Sequence, residues 1–334
     1  MPSSPHADVL VPGLATGIGS LPLVDPHAAA ALTLRVHGRL PATPQLPDPR
    51  EGVVAQWAGA LPEVTIARDG AITIDPARQA EPVRAVFGDA HRGLLTFLDD
   101  AAAAPDGVVR VKTQMVGPLT LGVALTRAGM PIPVAFERAA EAVRAWAPAL
   151  ERLLAERLPS AAPLVFLDEP ALVLWARDEA PIEREEAVDV LSGALAAFTA
   201  TTGVHVCGDG DVKLAFEAGP RVLGLPACDG LLVEPDVLVR HIDADGWVAW
   251  GAVPTDRPLG EAADSLWRRL VAVWCELTRR GCDPVRLRTH GVVTPACGLA
   301  THGASQAERA LRLARDIACR VGDQAVAARL TVGA

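Results

Sequence analysis

Tyrosine is absent from this 334-residue chain, which removes one common general acid from any catalytic scheme. No run or stripe of basic residues occurs and the formal net charge is −9, so a nucleic-acid partner is not expected. No apolar stretch reaches the roughly 18 residues that a membrane helix requires. The opening residues, MPSSPHADVLVPG, offer neither the basic nor the apolar region of a signal peptide. These absences predict a cytoplasmic protein without membrane or nucleic-acid partners. In a reducing compartment its six cysteines point to metal binding or catalysis rather than to disulfides. There is also no internal repeat and no low-complexity linker.

Half of the residues are hydrophobic, enough for one large core. Short apolar runs alternate with longer helical patterns, the signature of βαβ units. The runs predict strands near 14–19, 39–45, 108–115, 163–168, 204–207, 222–227, 247–252 and 287–294. The second, RLPATPQ, is short and holds two prolines. Amphipathic patterns predict helices near 134–158, 182–201, 260–280 and 305–321, the last with Ser305 as N-cap and Glu308 as its capping-box partner. Eight strands with intervening helices predict an α/β fold: a single (β/α)8 TIM barrel over residues 1–334. VTIARDGAITID differs, because two β-rich runs flank Asp69-Gly70, a strong hairpin signal. It is read as a β-hairpin inserted after the second strand.

In such a barrel the chemistry gathers at the C-terminal ends of the strands. There the sequence places GIGSLP, TPQLP, TQMVGP, LDEPAL, HVCGD, PACDG, AVPTD and TPACGL, in that order. His205 and Cys207 are two residues apart on a predicted strand and so share a face. Cys297 ends the last strand and opens onto the same mouth. One imidazole and two thiols suit zinc, which takes nitrogen and sulfur ligands in a tetrahedron and keeps one position open in catalytic sites. Three small buried residues are the competing reading. By position Gln114 faces the mouth, where it either meets a substrate or bonds a neighbouring loop. Cys275, Cys282, Cys319, the seven tryptophans, His290 and His302 are read as structural.

TGIGSLP, VGPLTL, LDEPAL, HVCGD and TPACGL resemble, in order, the catalytic half of cobalamin-independent methionine synthase. The resemblance is closer still to its short single-barrel relatives, grouped with uroporphyrinogen decarboxylase in one superfamily. It spans Gly17 to Cys297 and the final helix. It implies that His205, Cys207 and Cys297 ligate a zinc ion, and that the zinc binds the thiol of homocysteine. The family's fourth ligand, a glutamate at the end of the next strand, has no direct match here. Cys228 ranks first for that place and Glu234 second. Asp168 is implied to bind the amino group of the substrate and is the expected catalytic carboxylate, with Glu169 beside it. Ser20 is implied to hold the amino-acid part.

A free thiol has a pKa near 8.5, so zinc would raise the share of reactive thiolate at neutral pH. The expected activity is methyl transfer to a thiol, most simply homocysteine to methionine. Two elements of the large enzyme are missing. Its second-strand His-Gly-Glu is replaced by TPQLP, where Gln45 offers only an amide, and no tryptophan follows the GPLT segment to stack on folate. The N-terminal barrel that contributes to folate binding has no counterpart. A methylcorrinoid protein is therefore favoured over methyltetrahydrofolate as the donor. The alternatives are a zinc-dependent transferase or lyase for another thiol, as in the coenzyme M epoxide transferases, and a non-catalytic zinc-binding barrel. A decarboxylase is disfavoured for want of basic residues at the mouth.

Overall fold

The computed structural model describes residues 10–79, 81–105, 107–227, 234–260 and 262–332. Its strands are β1 (Leu14–Ala15), β2 (Val64–Ile66), β3 (Ile72–Ile74), β4 (Arg110–Val116), β5 (Ala162–Asp168), β6 (Thr201–His205), β7 (Val222–Pro226), β8 (Trp247–Val253) and β9 (Gly291–Pro295). Seven of them form a parallel sheet in the order β1-β9-β8-β7-β6-β5-β4. Parallel strands need both faces covered, and these have both covered. On β5, Ala162, Leu164 and Phe166 join an inner cluster with Leu14, Val222, Trp247 and Val292. Val165 and Leu167 belong instead to the large outer cluster that packs under the helices. Side chains alternate across a strand, so the inner cluster fills the lumen of a curled, TIM-barrel-like sheet.

Eight regular strands were expected; among the described residues the sheet has seven. The segment predicted as the second strand makes only isolated parallel bridges, Ala42 to Lys112 and Ser20 to Gln45. Pro41 and Pro44 carry no N–H and cannot sustain a ladder. What remains of the ladder is four backbone hydrogen bonds. Lys112 N donates to Pro41 O (2.9 Å) and Thr43 N to Lys112 O (2.9 Å) on one side; Gln45 N donates to Gly19 O (3.0 Å) and Leu21 N to Gln45 O (3.0 Å) on the other. Residues 41–45 thus span from β4 to the chain that follows β1. β1 itself is regular for two residues only. Beyond it Gly19 adopts φ +140° with the Gln114 amide against its Cα, a conformation and a contact that a side chain would obstruct.

Other boundaries moved for local reasons. The helix expected over 182–201 ends at Leu195, and β6 begins at Thr201. The start of the last predicted strand is a helix, Pro284–Thr289, whose N-cap Asp283 accepts from Val285 N at 2.7 Å. The final helix runs Ala304–Val332, so Ser305 lies inside it rather than capping it. Glu308 accepts from Arg35 (3.0 Å) and Arg312 (2.6 Å) instead. Val64–Ile66 and Ile72–Ile74 pair antiparallel, Thr65 opposite Thr73, across the Asp69-Gly70 turn. Trp57 and Trp146 meet edge to face in the core, 5.1 Å between centroids.

Two histidines are buried in this frame. His37 donates from Nε2 to Leu311 O at 2.9 Å, tying the first helix, Pro26–Val36, to the last. His91 lies edge-on to Trp57 and Phe87. Burial holds both imidazoles down to about 4. Because the folded pKa lies below the unfolded one, stability is intact above pH 6.5 and declines as pH falls toward 4, by about 3 kcal/mol per group. His91→Phe, which suits the aromatic surroundings, should flatten the unfolding free energy between pH 6.5 and 4 by about that amount in denaturant titrations. An unchanged slope would contradict this account of His91.

Candidate metal centre

His205 is the last residue of β6, and Cys207 follows in the turn that Gly210 closes by donating to Cys207 O at 3.1 Å. Register sets His205 beside Asp168 of β5 and Gly224 of β7. Cys297 arrives from the other direction. After β9, Ala296 N donates to Val253 O (2.8 Å) and Leu299 N to Ser20 O (2.9 Å), which pins the Cys297 turn over the mouth. A methyl group on Gly298 would collide with Ser20 Oγ, so this turn can sit against Ser20 only with glycine there. A ligand nitrogen of His205 and the sulfurs of Cys207 and Cys297 all lie within 4.8 Å of one another.

This trio fits a zinc ion on three counts. The two sulfurs are 3.8 Å apart, and tetrahedral zinc with Zn–S bonds of about 2.3 Å requires a separation of about 3.8 Å. His205 Nε2 is buried without a hydrogen-bond partner, an expensive condition unless a ligand satisfies it. The donor set, one imidazole and two thiols, is one zinc favours. Contact with Cys207 and then with His205 draws the Cys297 thiol far below its usual range, and the same Cys297 contact together with burial drives Cys207 up.

Beneath and beside the trio opens a cavity of about 680 Å³. Asp168, Ser20 and Gln45 line it, as do Asp209 and Asp256 at the rim. Its described lining holds three aspartates, no lysine or arginine and no aromatic residue. Asp168 Oδ1 is buried and unpartnered. Burial raises the Asp168 carboxyl above its ordinary range, against the pull of Lys112 and His205. Such a carboxylate is suited to a cationic group that enters with a ligand.

The other expected residues fall elsewhere. Glu169 is fully buried and caps the helix Pro118–Arg127. It accepts from Leu119 N (2.9 Å), Thr120 N (2.7 Å) and Thr120 Oγ1 (2.6 Å), and burial lifts it to about 7. These bonds make it a structural support for Asp168, its neighbour in sequence. Gln114 is committed at both ends, donating to Thr43 O (3.0 Å) and accepting from Lys112 (2.9 Å). Glu234 is an exposed helix N-cap with φ 55° and is not among the clustered ligand residues. Cys228 lies outside the described residues. His290 bonds Asp245 at 2.9 Å.

One residue was missed. Lys112 is buried in the lumen, donating to Ile18 O and Gln114 Oε1 with its ammonium 5.2 Å from the Phe166 ring centre. It is the nearby positive charge that Asp168 feels. A signal was available. The chain has only two lysines, Lys112 and Lys213, and the long polar side chains Arg110, Lys112 and Gln114 alternate with Val111, Thr113 and Met115. In a sheet whose outer face is covered by helices, the polar side of that alternation must point into the lumen.

No protein-family model matches the chain, and no curated protein matches its sequence. A solved structure does. A B12-independent methionine synthase from Shewanella sp. W3-18-1, in complex with selenomethionine, superposes with a TM-score of 0.64 over 96% of this chain and 99% of its own, at 15% identity. The two share a fold. Among the described residues, no helix is long and apolar enough to cross a membrane.

Burial holds the Lys112 ammonium down to about 8, with Asp168 opposing the shift. Below pH 8 the fold carries a costly buried charge; as pH rises toward 10.5 the folded state loses the proton before the unfolded state does and gains stability. Between pH 8 and 10 wild type should therefore gain about 2 kcal/mol relative to Lys112→Met. Parallel pH curves for the two proteins would show that Lys112 is not charged in a dry site.

Proposed function

We propose that this protein is a zinc-dependent transferase that moves a methyl group onto a small thiol carrying an amino group, homocysteine being the simplest fit. The observation that carries the reading is the meeting of His205, Cys207 and Cys297 at zinc spacing in a cavity where, among the described residues, Asp168 is the buried, unsatisfied carboxylate. Zinc held there supplies Lewis acidity that keeps a ligand thiol as the nucleophilic thiolate. Asp168 takes the ammonium, with Lys112 beneath it favouring the ionised carboxylate. Ser20, fixed against the Cys297 turn, offers its hydroxyl to the rest of the ligand. Cys228 is retained as the first candidate for a fourth ligand, while the exposure of Glu234 weighs against it.

The methionine synthase with the same fold was solved with selenomethionine, which supports a thioether product here. For the donor, a described lining with no aromatic platform disfavours methyltetrahydrofolate, and a methylcorrinoid is proposed in its place. One observation favours a second reading, transfer to a different thiol: no lysine or arginine is among the described lining residues, so a ligand carboxylate would have to rely on Ser20 and backbone N–H groups. The cytoplasm, with its reduced thiols, is the proposed compartment.

Purified protein should carry about one zinc per chain, and Cys207→Ser or Cys297→Ser should each lower that occupancy in elemental analysis. Full zinc in both variants would remove the ligand assignment. Asp168→Asn should keep its zinc and bind homocysteine roughly tenfold to hundredfold more weakly, a loss of about 1.5–3 kcal/mol. Loss of zinc in that variant would make Asp168 a metal ligand instead. Methionine should form from homocysteine with methylcobalamin and not with methyltetrahydrofolate; the opposite result would reverse the donor assignment.

A further inference from the structure

A second cavity, about 510 Å³, opens at the same end of the sheet, and the activity proposed above makes no use of it. Its walls come from the loops that follow β1 and the irregular segment 41–45. Three arginines, Arg50, Arg68 and Arg92, line it with a single carboxylate, Asp48, so this end of the sheet does carry the basic residues that the strand-end motifs alone did not show. The two cavities are neighbours. Gln45 and Val53 line the metal cavity, while Leu46, Pro47, Asp48, Pro49 and Arg50 line the second, so one short loop has a side on each.

The arginines are held in place with donors to spare. Arg50 grips Asp48 through Nε (3.2 Å) and Nη2 (2.9 Å). Arg92 reaches the same carboxylate through Nη2 at 3.3 Å. Its Nε is buried and makes no hydrogen bond; the nearest carboxylate oxygen, Glu51 Oε1, is 3.6 Å away. Glu51 is already committed to Leu46 N and Gly93 N. Arg68 comes from the turn between β2 and β3, and that turn rests on the loop, with Pro49 O packed against Gly70. Arg68 is exposed and carries no ion pair among the described residues. Asp48 and the buried Glu51 offset two of the three guanidinium charges, which leaves the charge of Arg68 in excess and planar N–H donors to spare, the arrangement that binds phosphate or carboxylate oxygens. The metal cavity next door has the opposite sign, with three aspartates.

We propose that the β2–β3 hairpin and the 45–53 loop build an oxyanion subsite, formed by Arg50, Arg68 and Arg92, that holds a phosphate or carboxylate of the group donor while its reactive carbon reaches into the metal cavity. The role of the donor rests on the transfer proposed above; the anion site itself does not. The opposed charges of the two cavities then sort the reactants: the amine-bearing thiol goes to the aspartates and the anionic donor to the arginines. The hairpin thereby has a purpose, which is to bring Arg68 over the loop.

Calorimetric titration tests this with two probes, inorganic phosphate and glutarate, on wild type, Arg68→Ala and Arg50→Ala. The measurements are repeated on protein stripped of metal with a chelator, because phosphate can also bind zinc. Wild type is expected to bind at least one probe with or without metal, and each alanine variant to bind it about tenfold or more weakly. Phosphate alone binding indicates a phosphorylated donor; glutarate binding indicates a carboxylate-bearing one. Because Arg68 is exposed on a turn, its variant should keep the wild-type melting temperature, zinc content and homocysteine affinity. If wild type binds neither probe, binds only when metal is present, or is unaffected by Arg68→Ala, the subsite does not exist. Zinc content and homocysteine binding report separately on the transferase reading, so one can fail without the other.

Discussion

The lumen of the sheet must be dry below and polar above, and Lys112 is where the two conditions meet. Leu14, Leu164, Phe166, Val222 and Val292 fill the lower part with hydrocarbon. Above them stand Asp168, His205 and the two sulfurs. A lysine in such a place is costly, because burial penalises the ammonium. It is retained with two acceptors, Ile18 O and Gln114 Oε1, and with the Asp168 charge nearby. Gln114 is fixed in turn by Thr43. One buried cation thus links β4, the chain after β1 and the irregular segment 41–45 to the carboxylate that faces the ligand cavity.

What was legible in the sequence was mainly what is local. The short apolar runs of β4 and β5, the His-x-Cys spacing and the turn around Asp69-Gly70 all depend on neighbours within a few residues, and local pattern reports such relations. The convergence of Cys297 with Cys207 is a relation across ninety positions. The order of strand ends around a barrel was enough to anticipate it. The occupants of Glu169 and Gln114 were not legible. Each is polar and sits at a strand end, as a ligand-binding residue would. Only the packed structure reveals that Leu119 and Thr120 claim the first and Lys112 and Thr43 the second. Propensity misled at 39–45, where tertiary closure makes a strand-like connection out of a proline-containing segment.

The two cavities illustrate how insertion and scaffold divide the work. The metal trio is held by β6 and by a turn locked to β8 and Ser20, elements that cannot shift without disturbing the sheet. The arginines stand on loops and on a hairpin turn, which can vary without that cost. In the proposed scheme the chemistry falls on the rigid part, and the choice of reactant on the part that is free to change.

Seen mechanically, the ring of strands is a hoop with a seam. Most of its circumference is stitched by continuous ladders, seven paired residues between β4 and β5 alone. The remaining arc, across residues 41–45, is held by four backbone bonds. Ser20 and Gln45, bridged to each other at that seam, also line the metal cavity. A molecule bound against both of them would span the joint and act as its clasp.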